Sequence, residues 1–449
     1  MTLATVPRYT PNERTESGER AIVIGSGMAG LVAARVLSNH FSTVTVLDRD
    51  PVPDVPTARR GVPQGRHPHI LLEAGRATLE DIIPGFTDAV LEAGGQVIQD
   101  GIDLHMYAER GYLAPGRRRL AAYYASRPLY EQIVRDRVLE RSGIELRPEC
   151  QFLTYIHDPA TQTITGVRCR TGSDTVDLAA DLVIDASGRT SRTPRWLAAH
   201  GYPRPERETV RIDVAYSTTV IERPATDRRA YLMHPTPPRT RGGTVIPIEG
   251  NRWLVTMHGI HGDHAPTDRA GFIEFAERLP IPEPARLLHE QPWTTDEIDT
   301  YPFPANRRYR YDTIDRFPSG LVVIGDAIAS FNPVYGQGMS IAILESVLLH
   351  HALVADGTTD LWERYIDRAS DLTDIAWLMA VGADFRFGHT DGHRPRGTGF
   401  FNRYLARLVQ GAHTDAVLTD AFHRVIMLEA PPSTLFRPRV MWHVLRPTG

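Results

Sequence analysis

Ala21-Ile22-Val23-Ile24-Gly25-Ser26-Gly27-Met28-Ala29-Gly30 decides the fold of this chain. An apolar run without polar alternation is what a parallel strand buried on both faces requires. The glycines follow at once, and Met28 to Leu37 then carries apolar and small residues at helical spacing. Thr43-Val44-Thr45-Val46-Leu47 reads as a second strand, ending at Asp48. Strand, glycine turn, helix, strand and acid is the order of a dinucleotide-binding unit. Gly25 permits the tight turn, Gly27 lets backbone amides approach a pyrophosphate, and Gly30 lets helix and strand pack closely. The helix start, with Met28 and Ala29 in its first turn, offers unpaired N–H groups and a positive dipole end to that anion. Asp48 lies near the expected offset of roughly 20 residues for a ribose-binding acid, with Arg49 beside it as a further cofactor contact.

Two more stretches belong with the first. Asp181-Leu182-Val183-Ile184-Asp185-Ala186-Ser187-Gly188 is an apolar strand returning to a turn. Gly325-Asp326 follows Leu321-Val322-Val323-Ile324 and precedes Asn332-Pro333-Val334-Tyr335-Gly336-Gln337-Gly338-Met339. The glycine motif alone suits FAD and NAD equally. A simple dehydrogenase has no use for the second and third stretches, so together they point to one socket for FAD and to a redox enzyme.

Composition narrows the setting. A chain of 449 residues, 42% hydrophobic, can bury one large core or two coupled domains. A net charge of −4 gives no reason to expect a nucleic-acid partner. Cys150 and Cys169 lack a metal-ligand spacing, and two cysteines in so long a chain suit a reducing cytoplasm. No apolar run of spanning length stands out, so no membrane span is expected. All 50 basic residues are arginine.

The chain divides into a loose polar tail over 1–19, a discontinuous FAD-binding domain over 20–100, 125–200 and 305–355, a β-rich substrate domain over 101–124 and 201–304, and a helical region over 356–449. A helix is expected from about Ile70 to Ile83, and another from the N-cap Ser126 to about Ser142. The fold class is therefore α/β: a Rossmann-like unit interrupted by an antiparallel sheet, with C-terminal helices. Function is expected at the seam between the two.

With these motifs in place, the chain resembles the FAD-dependent monooxygenases of the p-hydroxybenzoate hydroxylase fold over about residues 20 to 355. Arg60-Gly61-Val62-Pro63-Gln64 with His67 and His69, and Asn332 to Met339, look most like the epoxidases of polyether antibiotic pathways, the lasalocid and monensin type. The resemblance implies that Gly25, Gly27 and Gly30 hold the FAD pyrophosphate and Asp48 the adenosine ribose. It implies that Arg127 contacts the flavin chain or phosphates, and that Asp326 binds the ribityl hydroxyls. It places Gly336, Gly338 and Met339 beneath the flavin's pyrimidine edge, where a helix N-terminus stabilises negative charge. Many members carry Asp-Gly where this chain has Ser187-Gly188, which weakens any claim that this segment handles NADPH.

The implied chemistry is oxygen transfer from a flavin C4a-hydroperoxide to a lipophilic polyketide, polyene or terpenoid, by epoxidation or hydroxylation, in secondary metabolism. NADPH or NADH is the expected reductant, directly or through a partner flavin reductase. Epoxidation needs no general base, whereas aromatic hydroxylation is helped by one. His67, His69, Tyr216 and His258 are candidates that the sequence does not separate, and each also reads as loop or core structure. Arg59, Arg60 and Arg66 read either as a solvated basic loop or as a phosphate contact, with Arg60 placed on the cofactor. His67-Pro68-His69 lacks further ligands at a useful spacing, so no metal site is expected. Halogenases of this fold use a lysine, which this chain lacks. A flavin-dependent reductase of prenyl double bonds and a non-catalytic lipid escort of the same fold stay open as alternatives.

Overall fold

The computed structural model describes residues 2–99, 101–118 and 120–446. Among these, the strand Gly18–Ile24 is central in a parallel sheet ordered Leu321–Val323, Leu182–Asp185, Gly18–Ile24, Phe41–Leu47, Ile144–Arg147. Burial on both faces explains its unbroken apolar runs, with Ile22, Val23, Val183, Ile184 and Val322 all inside. The helices Met28–Leu37, Arg127–Leu139 and Gly338–Asp356 pack around it. Ser126 caps its helix as the sequence implies, its side chain accepting from the Leu129 amide at 3.3 Å.

Gly338–Asp356 is apolar enough to cross a membrane by length and composition, which the sequence reading did not anticipate. Its most apolar window is 78% buried, against Met28–Leu37 and Leu361–Asp384, so it is a core helix. The expected loose tail is also corrected. Val6 and Tyr9 are buried, the Leu3 amide bonds the Leu428 carbonyl at 3.0 Å, and the Asn39 side-chain amide donates to the Tyr9 hydroxyl at 2.7 Å. Scattered apolar residues in a polar stretch secure it where composition suggested nothing would. The helix expected from Ile70 begins at Glu73 and ends at Ile82.

The second layer is a large sheet ordered Ala329–Ser330, Asp299–Arg310, Glu206–Glu222, Arg252–Ile260, Arg241–Ile248, Ala230–Met233, Leu104–Ala108 and Gly111–Tyr112. Register sorts its side chains. Tyr301, Tyr216, His258 and Gly242 form one row across four strands, and Thr218, Thr256, Thr244, Leu232 and Met106 the row two residues along. Period-two alternation puts both rows on one face. The opposite face, with Trp253, Val255, Met257 and Tyr231, packs against Arg269–Glu277 and Glu283–Glu290. Ala121–Tyr124 does not join this sheet but pairs with Gln96–Gln99. The C-terminal helices Thr398–Gly411, Ala416–Ile426 and Pro438–Leu445 place Leu408, Val409, Phe422 and Val425 against Met106, Leu232 and Leu254. They close a chamber over the first face.

Candidate active site

Folding brings the three motif stretches into contact, and the glycines are where they touch. A Cβ built on Gly25, which has φ +104°, would lie 2.6 Å from the Ala186 carbonyl oxygen. One on Gly325 would lie 2.9 Å from Ala29 Cβ, and one on Gly338 3.7 Å from Asp326 Oδ1. Gly30 is tightest: its Cβ would fall 1.8 Å from the Gly25 oxygen. Gly27 differs from these, because a Cβ there meets nothing within 4 Å and projects into an open cleft.

That cleft runs from Gly25, Asp48 and Arg49, past Arg127, Ser187 and Asp326, to Gly336, Gln337, Gly338 and Met339. It has the features FAD requires. The helix at Met28 has Gly27 as N-cap and no capping side chain, leaving its first amides for an anion. The helix at Gly338 likewise has no side-chain cap. Arg49, Arg127, Arg189 and Arg192 line the walls. The Asp326 carboxylate opens onto the cleft, and among the described residues no protein donor reaches it. Partial desolvation within the cleft raises its pKa, against the pull of Arg189 and Arg127. An acceptor held out in this way suits hydroxyl groups.

Asp48 has a second role beside the expected one, and the placement of Arg60 is corrected. Asp48 borders the cleft, but its Oδ2 accepts from the Ser26 amide (2.9 Å), the Ser26 hydroxyl (2.5 Å) and Arg59 (3.0 Å). Burial alone would raise its pKa; Arg59, Ser26 and the Asp50 amide outweigh that and hold it low. The carboxylate thus braces the glycine turn, while Oδ1 takes only the Asp50 amide at 2.9 Å and keeps acceptor capacity to spare. Arg60 is exposed and lies off the cleft lining. Its neighbour Arg59 turns inward, held by Glu131 and Asp48 and donating to the Ser26 carbonyl at 3.2 Å. Glu131 also pairs with Arg127 at 3.2 Å. Sequence reasoning missed Glu131, and a carboxylate one helical turn from Arg127 was the available signal.

The second chamber adjoins the first. The two share Gln64, His69, Ile70, Tyr301, Pro333 and Gln337 in their walls. Elsewhere the second is walled by Met106, Leu232, Met379, Phe401, Leu405 and Phe422, among others. His67, His69, Tyr216 and His258, indistinguishable in sequence, all line it. Burial pushes the imidazoles down, His67 to about 4 and His69 and His258 to about 3, so all three are neutral near pH 7. His69 Nδ1 donates to the His67 carbonyl at 2.9 Å, leaving Nε2 as an acceptor.

Tyr216 is committed to architecture. Its hydroxyl donates to Asn332 Oδ1 (2.6 Å) and accepts from the Val334 amide (3.0 Å), and burial drives its pKa well up. This excludes it as a base. Asp384, at the end of Leu361–Asp384, accepts from Asn306 (2.6 Å), Asn332 (3.0 Å) and Tyr335 (3.0 Å). Tyr216 and Asp384 thereby both hold the Asn332–Gly336 turn. Nothing local in the sequence marks Asp384 for this role.

The FAD binding domain family model matches residues 19–372. Protein Rv3254 of Mycobacterium tuberculosis is 33% identical over 95% of this chain and 94% of its own length. 6-Methylpretetramide 4-monooxygenase of Streptomyces rimosus is 26% identical over 77% of this chain and 78% of its own. A flavoprotein/dehydrogenase structure from Cytophaga hutchinsonii superposes with a TM-score of 0.66 at 15% identity, covering 95% of this chain and 96% of that one. With a cleft shaped for a dinucleotide opening onto a second chamber, the chain belongs to the FAD-binding-domain family of flavin-dependent monooxygenases with the p-hydroxybenzoate hydroxylase fold.

Proposed function

We propose that the protein inserts one atom of O2 into a lipophilic natural product of the polyketide, polyene or terpenoid type, by hydroxylation or epoxidation. NADPH or NADH supplies the electrons, directly or through a partner reductase. The observation that carries this reading is the shared wall of the two cavities at Gln64, His69, Tyr301, Pro333 and Gln337, where a cofactor in the first and a substrate in the second would meet.

Bound FAD supplies the activation of oxygen. The chain's residues do the rest. Gly27 and the first amides of the Met28 helix receive the pyrophosphate, Arg49 and Arg127 add positive charge, and Asp326 receives ribityl hydroxyls. The uncapped start of Gly338–Asp356 offers amides and a positive dipole end where negative charge on the cofactor needs stabilising. Tyr216 and Asp384 keep the Asn332–Gly336 turn in one conformation, so that contact is preorganised. Met106, Leu232, Phe401, Leu405 and the C-terminal helices keep water from the reacting ends. Burial holds His67, His69 and His258 at about 4, 3 and 3, which makes them weak bases and better hydrogen-bond partners for a substrate oxygen than proton acceptors; the epoxidase-like Gly61–Gln64 loop supports the alkene alternative.

The test is NAD(P)H oxidation by the FAD-loaded protein with and without a candidate polyene or polycyclic phenol. A product heavier by one oxygen supports the reading. A product heavier by two hydrogens, or a purified protein that takes up no FAD, refutes it.

A further inference from the structure

The second chamber has a mainly hydrocarbon wall interrupted by polar side chains, most of which have partners within the protein and a few of which do not. Tyr216, His258 and Gly242 lie side by side across three strands, while His67 and His234 approach from flanking segments and Gln337 from the flavin side. Among the described residues, His67 Nε2, both ring nitrogens of His258, His234 Nδ1 and Gln337 Oε1 are buried without a hydrogen-bond partner. His67, His258 and Gln337 are only 5%, 1% and 3% exposed. A buried polar group left unpaired costs about 1–3 kcal/mol, so several in one wall call for a polar occupant. The sheet is built to admit one of them. A Cβ on Gly242 would lie 2.2 Å from His258 Nε2, so the glycine makes room for the imidazole.

The chamber's charged side chains are already engaged. Arg386 is ion-paired with Glu109, and Asp384 takes three side-chain donors. Burial holds His234 near 4, so it is neutral like His67 and His258. The Gln337 carbonyl oxygen can only accept, and a neutral imidazole offers one donor and one acceptor. The missing partner must therefore both donate and accept. A carboxylate could accept from an imidazole N–H but would face the Gln337 oxygen and find no unpaired cation among the chamber's lining residues, so its charge would stay uncompensated.

Resting on the monooxygenase reading, we propose that this chamber takes an uncharged, mainly hydrocarbon substrate carrying at least one hydroxyl, with a second hydroxyl or carbonyl oxygen, on the edge that meets His67, His234, His258 and Gln337. These residues set specificity by pairing with those oxygens, and the C-terminal helices cover the hydrocarbon remainder.

The test uses the FAD-loaded protein at neutral pH and three probes of one skeleton: a naphthalenediol, naphthalene and naphthoate. Equilibrium dialysis should show the diol binding at least about tenfold more tightly than either of the others. His258→Leu should shrink the preference of diol over naphthalene through weaker diol binding, and His258→Gln should restore part of it. The proposal is overturned if naphthoate or naphthalene matches the diol, or if the diol does not bind. Should His258→Leu not fold, the wild-type comparison decides alone. Flavin content is measured first: a protein without flavin refutes the monooxygenase reading, whereas a flavin-loaded protein with the wrong preference refutes only this one.

Discussion

Gly27 and Gly30 sit in one motif, yet the structure gives them separable work. In Gly30→Ala the new Cβ would lie 1.8 Å from the Gly25 oxygen and 3.0 Å from its carbonyl carbon. An ordinary carbon–oxygen contact is about 3.3 Å, so backbone must move by roughly 1.5 Å. Gly25 is poorly placed to yield: its amide bonds the Leu47 carbonyl at 2.7 Å, and its φ of +104° suits only a narrow turn geometry. Overpacking costs about 1–3 kcal/mol and a weakened buried hydrogen bond about 1 more. The flavin-free protein should lose about 3 kcal/mol, or roughly 3 °C in Tm for a chain of this size. The Cβ of Gly27→Val has no protein atom within 4 Å, so flavin-free stability should hold within about 1 °C. Its isopropyl group occupies the cleft instead. Denying the pyrophosphate two charge-assisted amide bonds, each about 1.5–3 kcal/mol, should weaken FAD binding at least 100-fold, an estimate on the order of 3 kcal/mol. Calorimetry of the flavin-free variants and titration by flavin fluorescence read the two effects separately. A Gly30→Ala protein that melts like wild type, or a Gly27→Val protein with FAD affinity within about threefold of it, would falsify this division of labour.

Asp326→Ala should lower FAD affinity by about 10- to 100-fold with unchanged flavin-free stability, since no protein donor depends on that carboxylate; flavin retained through gel filtration measures it. Glu345 is buried, accepts from the Gly325 amide at 2.6 Å, and has its pKa pushed up to about 8, chiefly by burial. Between the ordinary carboxyl range and about 8 the native state keeps a proton that the unfolded chain releases, so this group's contribution is full below that window and is lost as pH rises through it. Glu345→Gln, which cannot ionise, should gain on wild type as pH climbs to 8, and parallel Tm curves would contradict this. Asp384→Ala strands donors on Asn306, Asn332 and Tyr335 and should cost about 3–5 kcal/mol, seen as a lowered urea midpoint.

Legibility in the sequence followed the range of the forces involved. Ile22-Val23-Ile24 and its glycine turn were readable because strand burial, turn geometry and helix start are settled within about ten residues of chain. Arg59 and Arg60 were not separable. Adjacent residues in an irregular loop share composition, and the inward choice belongs to Glu131, supplied by a distant helix. The N-terminal segment misled for the opposite reason: its average polarity is high, but Thr2, Val6 and Tyr9 are buried and Leu3 packs against the core.

The sequence by itself determined the parallel sheet, the dinucleotide cradle and the kind of cofactor, since backbone amides, glycines and one helix start carry that chemistry locally. Only the tertiary structure decided the substrate chamber. His258 gains meaning from Tyr216 and Gly242 beside it in register, Asp384 from the turn it clamps, and the hydrocarbon wall from C-terminal helices folded back over the sheet. Those partners are joined by strand register and packing across the whole chain, and no local pattern encodes them.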